Sequence, residues 1–511
     1  MMKKFAALLI CFVMVFSLFG CKKEEEKPVE VKKEAQGIDE VGYTLPYLRS
    51  DSLNPFTAKE EINKSIATLL YDSLFAIDNS YKPTPLIAES FKNENDKITV
   101  KLKAVKFTDG TSVTANDVVY SFEAAKDSDN YSTYLTNISS ASASGDGQVV
   151  FNLISKNPYE ASNLFFPVIK KDSDKDKESS DDYSKSIPVG SGRYTVTQSG
   201  DKKVLVFNKD RLGGYQPVYN QVGLKDVTEV TAMPNMLTLG QIDYYNDNLT
   251  RGKFDRYSGT ASKKNTSNFT FLGVNCEEEI MADSRVRRAI ALLIDREDLA
   301  EVSYAGFAQA TSTPFPSGFY GLKGCTLPTL KTDKEAAVEL LKKAGYDKVS
   351  ESGTRYGEKG SLRLRLVVNF ENDFRLAMAR NIQQALAKAD ITVDISEMSF
   401  ERYLSAIVNG ECELYIGEAV LSNSIDLTRF FEEDGKLSFG VEKDGKSAAK
   451  YEKLEKGEIG MQEFIDSFAD ELPFIPVLYR KSLAVHSNVI KSETEMITSD
   501  YFFNIDKWKT K

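Results

Sequence analysis

Histidine is almost missing from this chain: His486 is the only one, and no serine or cysteine motif points to it. Histidine-based triads and histidine-rich metal sites are thereby close to excluded. Cysteine is also scarce. Cys11 sits in the N-terminal apolar run, and beyond Cys21 only Cys276, Cys325 and Cys412 remain. These three are scattered without metal-ligand spacing and cannot all pair, so buried free thiols are expected. Tryptophan occurs once, as Trp508, and the 65 basic residues fall short of the 75 acidic ones, for a formal charge of −10. An acidic chain with no basic patch is a poor partner for nucleic acid, which needs clustered Lys and Arg. Nothing calls for a cofactor or a resident metal. With 75 acids a carboxylate pair is always available, so pair chemistry stays open.

What is present begins at the N-terminus. Lys3 and Lys4 precede an apolar run over 5–19 that is too short for a lasting membrane span and reads as a signal peptide, residues 1–20. It closes on Leu18-Phe19-Gly20-Cys21, which resembles the lipobox of bacterial lipoproteins, where cleavage leaves Cys21 as a lipidated N-terminus. Residues 22–34 are nearly all Lys and Glu, too poor in apolar surface to fold, so 21–41 reads as a flexible tether. Lipid on Cys21 would hold a soluble body at the cell membrane, outside the cytoplasm, without spanning it.

The body is long enough for roughly three or four domains. Tyr43 to Leu48 reads as a strand, and Ile62, Ile66, Leu69 and Leu70 recur at helical spacing after a loop at Ser52-Leu53-Asn54-Pro55-Phe56. Ile98, Val100 and Leu102 alternate with polar residues in a half-buried strand. An Asp109-Gly110 turn follows, and Thr114 with Asp117 should open a helix that buries Val118, Val119 and Phe122. Residues 170–185 are dense in Asp, Lys and Ser and should form an exposed loop. Gly190-Ser191-Gly192-Arg193-Tyr194 reads as a turn before two strands rather than a phosphate cradle, because no strand and helix frame the glycines. Asp283 to Arg296 is a capped helix with Val286, Ala289, Ile290 and Leu293 on one face. Its arginines read as solvated or ion-paired before anion-binding. Thr332-Asp333-Lys334-Glu335 reads as a capping box for a helix stopped at Gly345. Leu362, Leu364 and Leu366, a helix over 375–389 and a strand over 391–395 form a strand–helix–strand unit, which argues a parallel α/β arrangement.

The order Leu-Asn-Pro (53–55), Tyr-Asp-Ser-Leu-Phe (71–75), Pro-x-Pro-Leu-Ile-Ala-Glu-Ser (83–90) and Phe-Thr-Asp-Gly-Thr (107–111) resembles the family 5 extracellular solute-binding proteins. These are the peptide- and nickel-binding lipoproteins or periplasmic proteins of ABC importers. The Gly190–Tyr194 turn, with Arg193 where the family usually has Pro, the Gly240-Gln241-Ile242-Asp243 step and the Asn275, Arg287-Arg288-Ala289 and Ile294-Asp295-Arg296 series continue the resemblance to about residue 485.

The resemblance implies an α/β, two-lobed periplasmic-binding-protein-like fold of type II with an extra small domain and a ligand cleft between lobes. Lobe I would comprise 42–77, 187–270 and 478–511; the small domain, 78–186; lobe II, 271–477. It further implies a monomeric binding protein rather than an enzyme, which captures an oligopeptide by lobe closure and hands it to ABC permease subunits. In peptide-binding members the late lobe strand is followed by a Trp-rich segment and an aspartate that pairs with the peptide α-amine. Here the tryptophans are absent, and Asp426, which also fits a helix cap, or Glu418 would take that place. By motif position Tyr245, Asn246, Asn275, Ser422 and Asn423 are the further ligand-binding candidates. With one histidine, nickel held through histidine is disfavoured, while metallophore-bound nickel, an oligosaccharide or a sensor role without transport stays open.

Overall fold

A computed structural model describes residues 38–510 except 95, 174–187, 200–201, 254–255, 330, 433–434 and 443. The signal peptide, the lipidated Cys21 and most of the expected exposed loop at 170–185 lie outside the described residues. The tether expectation meets a difference at its end: the first strand, Ile38–Leu48, starts inside it, with Ile38 paired to Tyr219 and Val41 to Gln221. Gly42 permits that approach, since a Cβ there would stand 2.3 Å from the Tyr219 ring.

The hub is a pair of long antiparallel strands, Thr260–Val274 and Phe474–His486. They centre a mixed seven-stranded sheet. On one side of the pair lies Tyr244–Asp247; on the other lie Leu414–Val420, Arg363–Asn369 and Thr392–Met398, with Ala308–Ala310 also against Phe474–His486. Arg363–Asn369 and Thr392–Met398 are parallel, joined by the helix Asp373–Ala387, as the strand–helix–strand reading requires. A second sheet orders Ile38–Leu48, Tyr219–Val227, Lys202–Phe207 and Tyr194–Ser199. A third, antiparallel, is built from Ala88–Glu94, Lys97–Leu102, Gln148–Leu153 and Ile138–Ala143, with the helix Ala115–Lys126 packed on it.

Local chemistry explains most element ends. Thr114 and Asp117 form the capping box expected of them, while Val119 is half-buried rather than buried. Gly190 and Gly192 pack on the end of the first helix, Glu61–Leu70: Cβ atoms there would meet the Leu70 carbonyl oxygen at 2.0 Å and its carbon at 2.4 Å. Arg193 is buried because it donates to the Phe502 carbonyl at 2.6 Å and pairs with Asp500 at 2.7 Å. The Asp283 helix is shorter than expected, Ser284–Leu293, since Ile294 turns extended and Asp295 caps the next turn through the Asp298 amide. Its apolar face is buried as read. Two of its arginine series are not surface groups, however: Arg287 and Arg296 are buried and donate to backbone carbonyls of Glu471 and Pro476. The cap of the helix Lys334–Lys343 is Asp333, one residue later than Thr332. Cys276 and Cys412 are buried free thiols, and Cys325 is half-buried.

Candidate functional site

The hub ladder shifts register twice, between Thr270 and Phe271 and, more widely, before Asn268. The wider shift lies between Lys264 and Asn268, so residues 265–267 leave regular pairing opposite Arg480 and Ser482. Such bulges recur beside functional sites because they redirect side chains and free backbone groups. Here the bulge borders a cavity of about 310 Å³.

Its walls come from distant parts of the chain. Glu61 and Lys64 of the first helix form one side, and Asp129 to Tyr134 with Phe165 another. Lys264 and Thr266 to Asn268 contribute the bulge, Asn248 and Thr250 a turn after Tyr244–Asp247, and Val420 and Asn423 the end of Leu414–Val420. That turn is held by buried Leu249 at φ 58°, a left-handed conformation that non-glycine residues adopt only under constraint. The Asp247 carboxylate supplies it, accepting from the Leu249 amide at 2.7 Å.

The cavity carries charge of both signs. Glu61 Oε2 accepts from Asn248 Nδ2 at 3.3 Å. Lys264 is buried, donates to the Thr498 carbonyl at 2.8 Å and lies 4.4 Å from the Tyr501 ring centre. Burial pulls its pKa down, against the upward pull of Glu61 and Asp500. The aromatic wall is Tyr131, Tyr134 and Phe165, with Phe165 at 5.6 Å from Tyr131 and 4.9 Å from Tyr134 between ring centres. Burial pushes both phenols up, and the Glu61 charge adds to the push on each.

Behind the cavity sits a buried charge cluster. Glu418 accepts from Arg480 Nε at 3.0 Å and from Arg375 Nε at 3.3 Å. Burial alone would raise the Glu418 carboxyl; Arg480 and Arg375 reverse that and leave it lowered. Arg480 also donates to the Asn248 carbonyl and so ties the cluster to the cavity turn. At the rim, Asn163 Oδ1 accepts from the amide of Asn423 at 2.8 Å, its Nδ2 donates to Ser424 Oγ at 3.0 Å, and Asn423 Nδ2 donates to the Ser162 carbonyl at 3.2 Å. Glu160 lies beneath, fully buried, accepting from Asn163 and Asn137; burial pushes it up to about 7.

Of the seven residues picked by motif position, Asn423 lines the cavity. Ser422 is one step away, paired with Ser424 at 2.9 Å. Asp426 accepts from the Thr428 amide at 2.8 Å and from Tyr451 Oη at 3.0 Å, ahead of the helix Thr428–Phe431. Glu418 is held in its arginine pair. Tyr245 is buried among apolar side chains, and Asn246 donates to Ser65 Oγ at 2.9 Å. Asn275 lies at the far end of Thr260–Val274, where its amide donates to the Glu413 carbonyl. Glu61, Asn248, Lys264, Tyr131 and Tyr134 were not picked. Glu61 had a visible signal, an acid in the first turn after the Leu53-Asn54-Pro55 loop; the bulge that presents Lys264 had none. Among the described residues no group of three or more His, Cys, Asp or Glu is placed to hold a metal ion, and no helix is long and apolar enough to cross a membrane.

The description "Bacterial extracellular solute-binding proteins, family 5 Middle" belongs to a family model that matches residues 82–433. The oligopeptide-binding protein AppA of Bacillus subtilis (strain 168) is 25% identical over 425 residues, covering 76% of each chain. In fold, the chain is similar to the murein tripeptide-binding protein MppA in its unliganded open form (TM-score 0.73, 17% identity, 93% of this chain and 99% of that one). It is also similar to a nickel ABC transporter protein from Bacillus halodurans (TM-score 0.72, 18% identity, 93% and 100%). The architecture is that of the two-lobed substrate-binding proteins, mixed α/β with a curled central sheet.

Proposed function

The chain belongs to the bacterial extracellular solute-binding proteins of family 5, and from that premise we propose that it captures an oligopeptide outside the cytoplasm for an ABC importer. Members of the family serve ABC importers of peptides or nickel. The observation that carries the peptide reading is the cavity's content: two carboxylates, two lysines, aromatic rings and a strand interrupted at a bulge, assembled from both sides of the hub. A peptide is a zwitterion with a repeating amide backbone, and it needs charges of both signs, hydrogen-bonding groups and apolar contact in one cleft. The relatives AppA and MppA, named for oligopeptide and murein tripeptide binding, support the same ligand class.

The mechanism is reversible capture without chemistry on the ligand. Lobe I (42–77, 187–270, 478–511) with its small domain (78–186) and lobe II (271–477) close on the ligand by a hinge. Asn423 touches it, Ser422 and Asp426 shape that loop, Glu418 holds the far wall, and Tyr245, Asn246 and Asn275 support the strands. The monomer stays at the membrane through lipid on Cys21 and passes its ligand to the permease.

Native mass spectrometry of the soluble form beginning at Lys22 tests this. Short peptide masses co-purifying with the protein are the expected result; a single non-peptide mass, such as a metallophore complex, would replace the ligand class. For the anchor, Cys21→Ala is expected to leave the membrane fraction, and retention through detergent-free washing would refute lipidation.

A further inference from the structure

We infer that Glu61, walled by Tyr131 and Tyr134, is the specificity-determining acid of the cleft, and that it receives a cationic group of the ligand. The inference rests on the peptide reading above and names the chemistry of one end of that ligand.

Three observations converge on it. First, the two acids picked by motif position are already committed. Glu418 has both oxygens on guanidinium groups, and Asp426 Oδ1 is held by the Thr428 amide and the Tyr451 hydroxyl. Neither lines the cavity. Second, Glu61 does line it, is half-exposed, and accepts from a neutral amide, Asn248 Nδ2 at 3.3 Å, while its other neighbours are the Tyr501 hydroxyl and the Lys264 charge. A carboxylate so placed retains acceptor sites for an N–H donor from the cavity. Third, the opposing wall is aromatic. Tyr131 and Tyr134 flank the same space, with Phe165 closing the angle between them. Ring faces beside a carboxylate attract an ammonium or guanidinium by quadrupole and charge together. Asp129, exposed at the same edge, adds charge of the same sign.

Of the basic groups of the cavity, Lys264 feels the Glu61 charge but makes its contacts elsewhere. Lys264 is turned to the Thr498 carbonyl and the Tyr501 ring beneath the cavity. Lys64, one turn on from Glu61, lines the wall without a salt bridge to it among the described residues. A first-turn acid also complements the helix N-terminus, but that role asks nothing of the aromatic wall.

The cation has two sources in a peptide, its α-ammonium or a Lys or Arg side chain, and the test separates them. Soluble wild-type protein, Glu61→Gln and Glu61→Asp would each be offered three pools of random tri- to hexapeptides: free-amine, N-acetylated, and free-amine with Lys and Arg replaced by norleucine and citrulline. Captured species are quantified by mass spectrometry. Wild type should favour the pools that retain the recognised cation about ten- to a hundredfold over the pool that lacks it, the range expected for one charge-assisted hydrogen bond. If N-acetylation abolishes capture, the α-ammonium is the source; if norleucine and citrulline replacement does, the side chain is. Glu61→Gln should erase the preference at unchanged melting temperature, and Glu61→Asp should keep most of it. A preference that survives in Glu61→Gln, or a wild type that captures all pools equally, overturns the inference while leaving peptide binding intact. A wild type that captures no peptide from any pool overturns the peptide reading and this inference with it.

Discussion

At the residue scale, the informative groups are buried acids whose fates differ. Glu418 and Glu160 are both enclosed, but Glu418 faces two guanidinium groups while Glu160 faces amides, a hydroxyl and the charge of Asp426. Their pKa values therefore move in opposite directions, and so do their effects on stability. Glu418 is lowered: its stabilisation is present above the ordinary carboxylate range and is lost as pH falls through the lowered value. Glu160 is raised from 4.5 to about 7. Between those values the folded chain holds a proton that the unfolded chain has released, so stability falls as pH rises from about 4.5 to 7 and is level beyond. The shift corresponds to about 3 kcal/mol. Glu160→Gln, which removes the charge but sets its Nε2 against one of the two amide donors, Asn163 or Asn137, should gain stability relative to wild type as pH rises from 5 to 8. Melting curves across that range would check it; a Glu160→Gln curve parallel to wild type would contradict the assignment. Glu418→Ala leaves buried Arg480 and half-buried Arg375 without their carboxylate and should cost about 3–5 kcal/mol, read by denaturant unfolding.

At the scale of elements, the turn at Gly190–Tyr194 shows how far sequence reaches. Two glycines before a β-strand read as a tight turn, and the chain bends there, at Gly192 and Arg193. The reason lies elsewhere in the chain: Gly192 rests on the backbone of Leu70, with a would-be Cβ 2.5 Å from the Leu69 carbonyl oxygen and 2.6 Å from the Tyr71 nitrogen. Backbone cannot move aside as a side chain can, so Gly192→Ala should destabilise by about 1–3 kcal/mol or displace the end of the first helix. Chemical denaturation against a control such as Gly147→Ala, where a Cβ meets nothing within 4 Å, isolates the steric part. The same contrast holds for the other elements. Periodicity found the helix Ser284–Leu293 and its buried face, because amphipathic spacing is a local signal. It missed that Arg287 is buried, because the carbonyls that satisfy it come from Glu471 and Leu472. The site divides in the same way. Asn423 was legible from its place in a family pattern, whereas Lys264 and Asn248 reach the cavity through a register shift and a left-handed residue, both products of tertiary pairing.

At the scale of the whole molecule, the rim contact between residues 162–163 and 423–424 joins segments about 260 positions apart, one in the proposed small domain and one in lobe II. On the proposed reading of a closing cleft, these bonds form only when the lobes approach, because no element of either segment is continuous with the other. They would then stabilise the closed state by the difference between protein–protein and protein–water hydrogen bonding, about 1 kcal/mol for each neutral bond. Ligand affinity contains that closing term, since a ligand held between two lobes is released when they part. Asn163→Ala removes the acceptor for the Asn423 amide and the donor to Ser424 without touching the cavity, which Asn163 does not line. It should therefore weaken binding of the captured peptide about five- to thirtyfold, chiefly through faster release, and shift small-angle scattering of the liganded protein toward a wider form. Asn423→Ala removes a different rim bond, the one to the Ser162 carbonyl, together with a wall of the cavity, and should cost more. Equal affinity in Asn163→Ala and wild type would mean that the rim contact persists whether or not the cleft is filled, and that closure, if it occurs, takes place about a different boundary.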